Sequence, residues 1–124
     1  MKKILMGTAV SIMSLMFVAC SNTSPVPKNV KFLNESQIKT LFNDKTASGI
    51  TSGSGKEYEL KFNSNGTFSG IVDSNSISGK WYVKGDSKCL TISNRDYCSK
   101  HYKVDGKYFT YNEAKNTVVP ISIK

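Results

Sequence analysis

The chain has 124 residues, 39% of them hydrophobic, with 17 Lys and Arg against 9 Asp and Glu, one His and three Cys. That length holds one small domain, which excludes a multidomain enzyme, a polytopic membrane protein and a disulfide-dense toxin. The apolar residues are unevenly placed: 14 of the first 20 are apolar and all four Met fall within Met1–Met16, whereas from Cys20 onward only 35 of 105 are apolar. The portion from Cys20 to the C-terminus is a lean, polar domain with a modest core.

Lys2 and Lys3 precede an uncharged, mostly apolar run from Ile4 to Ala19. The run is too short and too interrupted by Ser, Gly and Thr for a membrane span of about 20 apolar residues, and it reads as a secretory signal. Phe17-Val18-Ala19-Cys20 resembles the bacterial lipobox, with Phe17 in place of the favoured Leu. That resemblance implies cleavage before Cys20, a diacylglycerol on its thiol and acylation of its new amine. Each buried methylene contributes about 0.8 kcal/mol, so several chains on one Cys make a durable anchor. Ser21, where an Asp would favour inner-membrane retention, matches sorting to the outer membrane in a two-membrane bacterium. Residues 1–19 are thus expected to be a lipoprotein signal peptide. Residues 20–32 are the lipidated Cys and a Ser/Asn/Pro-rich flexible tether, and 33–124 a single β-rich domain.

Leu33 to Phe42 predicts a short helix. Asn34 and Gln37 have capping-box spacing, and Ile38, Leu41 and Phe42 share one face. The period then changes to two. Tyr58, Leu60 and Phe62 alternate with Glu57, Glu59 and Lys61, Asn65-Gly66 signals a hairpin, and Thr67–Val72 returns. Further strands are predicted over Gly79–Lys84, Lys88–Ile92, Tyr97–Tyr102, Lys107–Tyr111 and Val118–Ile123, separated by turns at Gly85-Asp86, Asn94–Asp96, Asp105-Gly106 and Asn112–Asn116. Turn signals about every ten residues predict an antiparallel β-meander that closes as a small barrel or packs as a sandwich. Gly49–Gly55 reads as a flexible loop.

With Cys20 lipidated, Cys89 and Cys98 remain, and export favours a disulfide across their hairpin. A metal pair would lack ligands, since His101 is the only His, and the spacing is not that of a redox Cys-x-x-Cys. The register there is open. If Leu90 and Ile92 face the core, Cys89 and Cys98 face out, and the polar set Tyr97, Ser99 and His101 faces in. A bulge would instead return Tyr102 and Val104 to the core.

The order of Leu33, Ile38, Leu41-Phe42, Lys45-Thr46, Gly49, Gly66-Thr67, Gly79-Lys80-Trp81, Cys89, Cys98, Tyr102 and Gly106-Lys107-Tyr108 resembles small uncharacterised exported or periplasmic bacterial β-proteins, filed as domains of unknown function. The resemblance covers residues 33–124 and implies a compact β-fold with a core Trp and a disulfide hairpin. It carries no catalytic residues. Ser54-Gly55-Lys56-Glu57-Tyr58 is similar to the Ser-Gly-x-x-Tyr element of lipid-anchored lysozyme inhibitors, although their second motif is absent and the looser match Ser78–Tyr82 has the same form. Gly79-Lys80-Trp81 is similar to the lipocalin Gly-x-Trp, and Trp81 is read as core packing.

Catalysis has little to work with. His101 has no nucleophile in a recognisable context, and Glu57 and Glu59, with Lys61, read as a solvated strand face rather than an acid–base pair. No enzyme, metal or other cofactor is implied. From Cys20 onward 15 Lys and Arg oppose 9 acids, and Lys80, Tyr82 and Lys84 form a basic, aromatic stripe. Export argues against nucleic acid and for anionic lipid, lipopolysaccharide or cell-wall polymers as counter-charges.

The expectation is therefore a non-enzymatic, lipid-anchored envelope protein with a binding or structural role, joined to the membrane through Cys20. It faces the periplasm or the cell surface and meets an envelope protein or an anionic envelope polymer. Two alternatives stand beside it. One is an inhibitor of a lysozyme-like hydrolase using Ser54, Gly55 and Tyr58. The other is a carrier of a small ligand in a lipocalin-like barrel.

Overall fold

A computed structural model describes residues 24–124. The signal, the lipobox and Cys20 lie outside the described residues. The architecture is one short helix, α1 (Glu35–Phe42), followed by β1 (Lys45–Ile50), β2 (Glu57–Phe62), β3 (Thr67–Val72), β4 (Asn75–Lys84), β5 (Ser87–Ile92), β6 (Arg95–Val104), β7 (Lys107–Asn112) and β8 (Thr117–Ile123). Each strand pairs antiparallel with the next, and β8 pairs with β1, so the meander closes into a barrel. Closure leaves no unpaired sheet edge.

Helix α1 starts where the sequence signals it. Gln37 N donates to Asn34 Oδ1 and Asn34 N donates to Gln37 Oε1, both at 2.9 Å, which is a complete capping box. Glu35 and Lys39 pair at 3.0 Å on the solvent face, while Ile38 and Phe42 are wholly buried. These two side chains, at i and i+4, plug one end of the barrel. There they join Phe62, Phe68 and Trp81 in the main hydrophobic cluster. The indole of Trp81 donates to the Asn63 carbonyl at 2.8 Å, so its burial leaves no unpaired donor.

The connections β3–β4, β5–β6 and β6–β7 are two-residue turns with left-handed backbone at both positions, Asp73-Ser74, Ser93-Asn94 and Asp105-Gly106. That geometry matches the strand twist. Strong coiling is also built into the wall. A Cβ on the inward-facing Gly70 would land on the Glu59 carbonyl oxygen and within 2.8 Å of Leu60 Cα, so only glycine permits that approach of β3 to β2.

The register of the disulfide hairpin is regular. Cys89 and Cys98 are directly opposed and joined by a disulfide on the outer face. Lys88 pairs with Ser99 and Leu90 with Tyr97, and alternation carries His101 to the same inner face. No bulge intervenes between Lys88 and Ile92. Tyr102 is nevertheless buried, because it is covered from outside. Phe32 packs edge-on to it at 6.1 Å and stacks on Tyr111 at 5.8 Å, while Leu33 N donates to the His101 carbonyl at 2.8 Å. The segment leading into α1 is thereby docked along β6 and β7.

Strand β1 is the element that sequence patterning misses. Lys-Thr-Ala-Ser-Gly-Ile has no run of large apolar residues, yet it pairs on both sides, with β2 and β8. Its inward positions are small because the space is taken. A Cβ on Gly49 would meet the Pro120 carbonyl at 3.0 Å and the Tyr58 hydroxyl at 3.2 Å.

Candidate functional site

The helix fills only one end of the barrel. Towards the other end the interior holds a cavity of about 410 Å³, within the size range of small-ligand sites. Its wall is built by strand alternation. Leu60, Val72, Ile77, Leu90, Ile92 and Val119 supply an aliphatic lining from β2, β3, β4, β5 and β8. The mouth lies under the β1–β2 connection, where Thr51, Ser52 and Ser54 reach the cavity together with Lys115 from the β7–β8 turn. Two contacts tie that connection down. Lys115 Nζ donates to the Ser52 carbonyl at 3.3 Å, and Lys56 pairs with Asp73 at 2.9 Å.

The floor is chemically unusual. Lys88, on β5, is inward-facing and only 7% exposed. Its Nζ lies 4.0 Å from the ring centroid of Phe42 and 4.9 Å from that of Phe62. No carboxylate pairs with it among the described residues. Two aromatic faces are weak compensation for a desolvated ammonium. Burial therefore pushes the amine down to about 7.

His101, on β6, is wholly buried on the same inner face, with its ring 4.9 Å from Phe42. Its Nδ1 is 3.2 Å from the hydroxyl of Thr110, which itself lines the cavity, and its Nε2 has no hydrogen-bond partner among the described residues. Burial first, and the neighbouring Lys88 second, hold this imidazole well below its ordinary range, so it is neutral. Tyr58, also in the cavity wall, is pushed up to about 12 by burial and stays a neutral phenol.

The sum is an apolar chamber with a short polar seam of Ser99, Thr110 and Asn112, a lysine at the floor and another at the mouth. None of its lining residues is acidic. Among the described residues no three His, Cys, Asp or Glu side chains are grouped as a metal site would require.

The structure scatters the residues singled out in the sequence. Cys89 and Cys98 form their disulfide across the β5–β6 pair, and Cys98 borders the cavity. Ser54, Gly55 and Tyr58 line one open groove on the outside of the β1–β2 connection, with Lys56, Glu57 and Asp73 beside them, and Ser54 and Tyr58 also reach the cavity. Lys80, Tyr82 and Lys84 are exposed on the outer face of β4. Glu57 and Glu59 are exposed on the outer face of β2. Lys88 is not among the sequence candidates. The signal for it is parity: it shares the face of Leu90 and Ile92, so any register that buries those two buries the lysine.

No protein-family model, no curated protein and no solved structure matches this chain. Its functional reading therefore rests on its own geometry.

Proposed function

We propose that the protein is a non-enzymatic binding module that holds a small, largely apolar molecule inside its barrel, and that lipid on Cys20 keeps it at the cell envelope. The observation that carries the first part is the aliphatic cavity of about 410 Å³ above the helix plug. A closed small barrel normally fills its interior with side chains, and space left open in an apolar wall is characteristic of ligand-carrying barrels. At about 30 Å³ for each water-sized unit, the cavity suits a molecule of roughly a dozen heavy atoms. The inhibitor reading draws on the open groove that Ser54, Gly55 and Tyr58 share, but rests on one short motif without its second element, and so has less support than the aliphatic cavity.

The test is titration with a neutral fluorescent apolar probe, N-phenyl-1-naphthylamine. The expected result is saturable binding of one probe per chain in the micromolar range. Val72→Trp, which puts an indole into the space, should weaken binding at least tenfold while a cooperative melt is retained. Absence of binding by the wild type, or undiminished binding by the filled variant, would sink the proposal.

The anchor rests on the sequence alone, on Lys2-Lys3, the apolar run and Phe17–Cys20. Cells fed an alkyne palmitate analogue should label the wild-type chain and leave Cys20→Ala unlabelled and unprocessed. Equal labelling of the variant would refute the lipid.

A further inference from the structure

The cavity is not merely apolar; it is apolar and one-signed. Lys88 projects into it from the floor and Lys115 from the rim, and none of the lining residues is Asp or Glu. All nine acidic residues of the chain fall within the described segment. The acids of the strands that build the chamber, such as Glu57, Glu59 and Asp96, occupy outward register positions. The amine at the floor is therefore a buried cation-former without a counter-charge, set against the Phe42 and Phe62 rings on a residue that borders the cavity. Elsewhere the chain does supply partners for its lysines, as at Glu35–Lys39, Lys56–Asp73 and Lys100–Asp86. A hydrophobic residue at position 88 would seal the floor without the desolvation penalty a lysine brings.

We propose that Lys88 takes the acid group of the ligand, so that the bound molecule is an aliphatic carboxylic acid of medium length with its head at the floor and its tail running to the mouth. This rests on the carrier reading above and specifies its ligand class. The contact is an ammonium–carboxylate hydrogen bond, and no covalent bond forms. When the acid enters protonated, its proton passes to the amine. When it enters as carboxylate, the amine takes its proton from solvent. Either way the pair is neutral overall inside a low-dielectric chamber, where a charge-assisted hydrogen bond is strong. The surrounding groups do not compete for the head. His101 and Tyr58 are held neutral by burial. Tyr97 is a half-exposed lining phenol, and Lys115 is already bonded to Ser52 at the rim. The seam hydroxyls of Ser99 and Thr110 are on the cavity wall and offer second donors to a carboxylate.

The test uses three ligands with the same tail. Decanoic acid, decanol and decylamine are titrated against the bound neutral probe, with full-length mature protein, at pH 7. The wild type should bind the acid about ten- to a hundredfold tighter than the alcohol, and the amine most weakly. Lys88→Met should keep alcohol binding and lose the acid preference, whereas Lys115→Ala should keep the preference. Equal binding of acid and alcohol overturns the inference and leaves the carrier reading standing. A preference that survives Lys88→Met, or that vanishes in Lys115→Ala, puts the head at the rim and also overturns it. Binding of none of the three ligands, nor of the probe, removes the carrier reading itself. Alcohol binding by Lys88→Met reports that the variant is folded.

Discussion

Lys88→Met is expected to make the ligand-free protein more stable, by on the order of 2–4 kcal/mol at pH 7. The reason is the amine's environment. Its ordinary value of 10.5 falls to about 7 in the folded chain because burial penalises the charged form. Below about pH 7 the lysine is protonated in both the folded and the unfolded chain, and the fold carries the full penalty. Between about 7 and 10.5 the unfolded chain still binds the proton and the folded chain does not, so wild-type stability rises with pH through that window. Methionine has a similar reach, brings no charge and packs its sulfur well against the rings of Phe42 and Phe62. The variant should therefore lose this slope.

His101 acts with the same sign lower down. Its imidazole is held neutral in the fold, so stability falls as pH drops below about 6.5. Because the Lys88 charge is one cause of that depression, the loss should be milder in Lys88→Met. Tyr58 has the opposite sense at the alkaline end. Its phenol, raised to about 12, stays protonated in the fold while the unfolded chain ionises above about 10. Urea melts of both proteins at several pH values from about 5 to about 11 measure all of this. An equal slope between pH 7 and 10 in wild type and variant would mean that the lysine is hydrated and the chamber floor is not dry. A stabilised variant that has lost acid binding would be the mark of a site retained at the expense of stability.

The fold is largely legible in the sequence because its local chemistry is explicit. The Asn34–Gln37 box, the helical face of Ile38 and Phe42, the two-residue period from Tyr58 to Phe62 and the turns at Gly85-Asp86 and Asp105-Gly106 all report on nearest neighbours, and each stands in the structure. The choice between barrel and sandwich is not legible, because it depends on β1. That strand's inward residues are Ala47, set between Leu60 and Ile123, and Gly49, where Tyr58 and the Pro120 carbonyl leave no room for a side chain. Such a constraint is tertiary and leaves no apolar alternation behind.

The site is hidden for a related reason. Tyr97, Ser99 and His101 look misplaced on a core-facing strand, and a bulge is the natural remedy in a filled core. The interior is not completely filled. Tyr97 and Ser99 border a chamber, His101 packs beside Phe42 of the plug, and Tyr102 is buried from the other side by Phe32. An amphipathic pattern whose polar face points inward is itself the trace of a cavity. It becomes readable only once the disulfide pins Cys89 against Cys98.

The second large effect concerns the plug. Phe42→Ala should destabilise the protein by about 3–5 kcal/mol, a major part of the 5–15 kcal/mol typical of a small domain. The ring is wholly buried, meets Phe62 edge-on at 5.2 Å and His101 at 4.9 Å, and lies beneath the Lys88 amine at 4.0 Å. Its removal leaves a hole that neighbouring rings cannot close, because Phe62 is itself held between Phe68 and Trp81. The same hole opens a route for water to Lys88 from the helix end. The amine should then be less depressed, and the stability slope between pH 7 and 10.5 should flatten. In a double-mutant cycle the two losses are therefore coupled: Lys88→Met should stabilise the Phe42→Ala background by clearly less than it stabilises the wild type. Strict additivity would mean that the ring fills space but does not keep the floor dry. In that case the low affinity of the amine for its proton, and the acid-binding chemistry built on it, would have to come from the barrel wall alone.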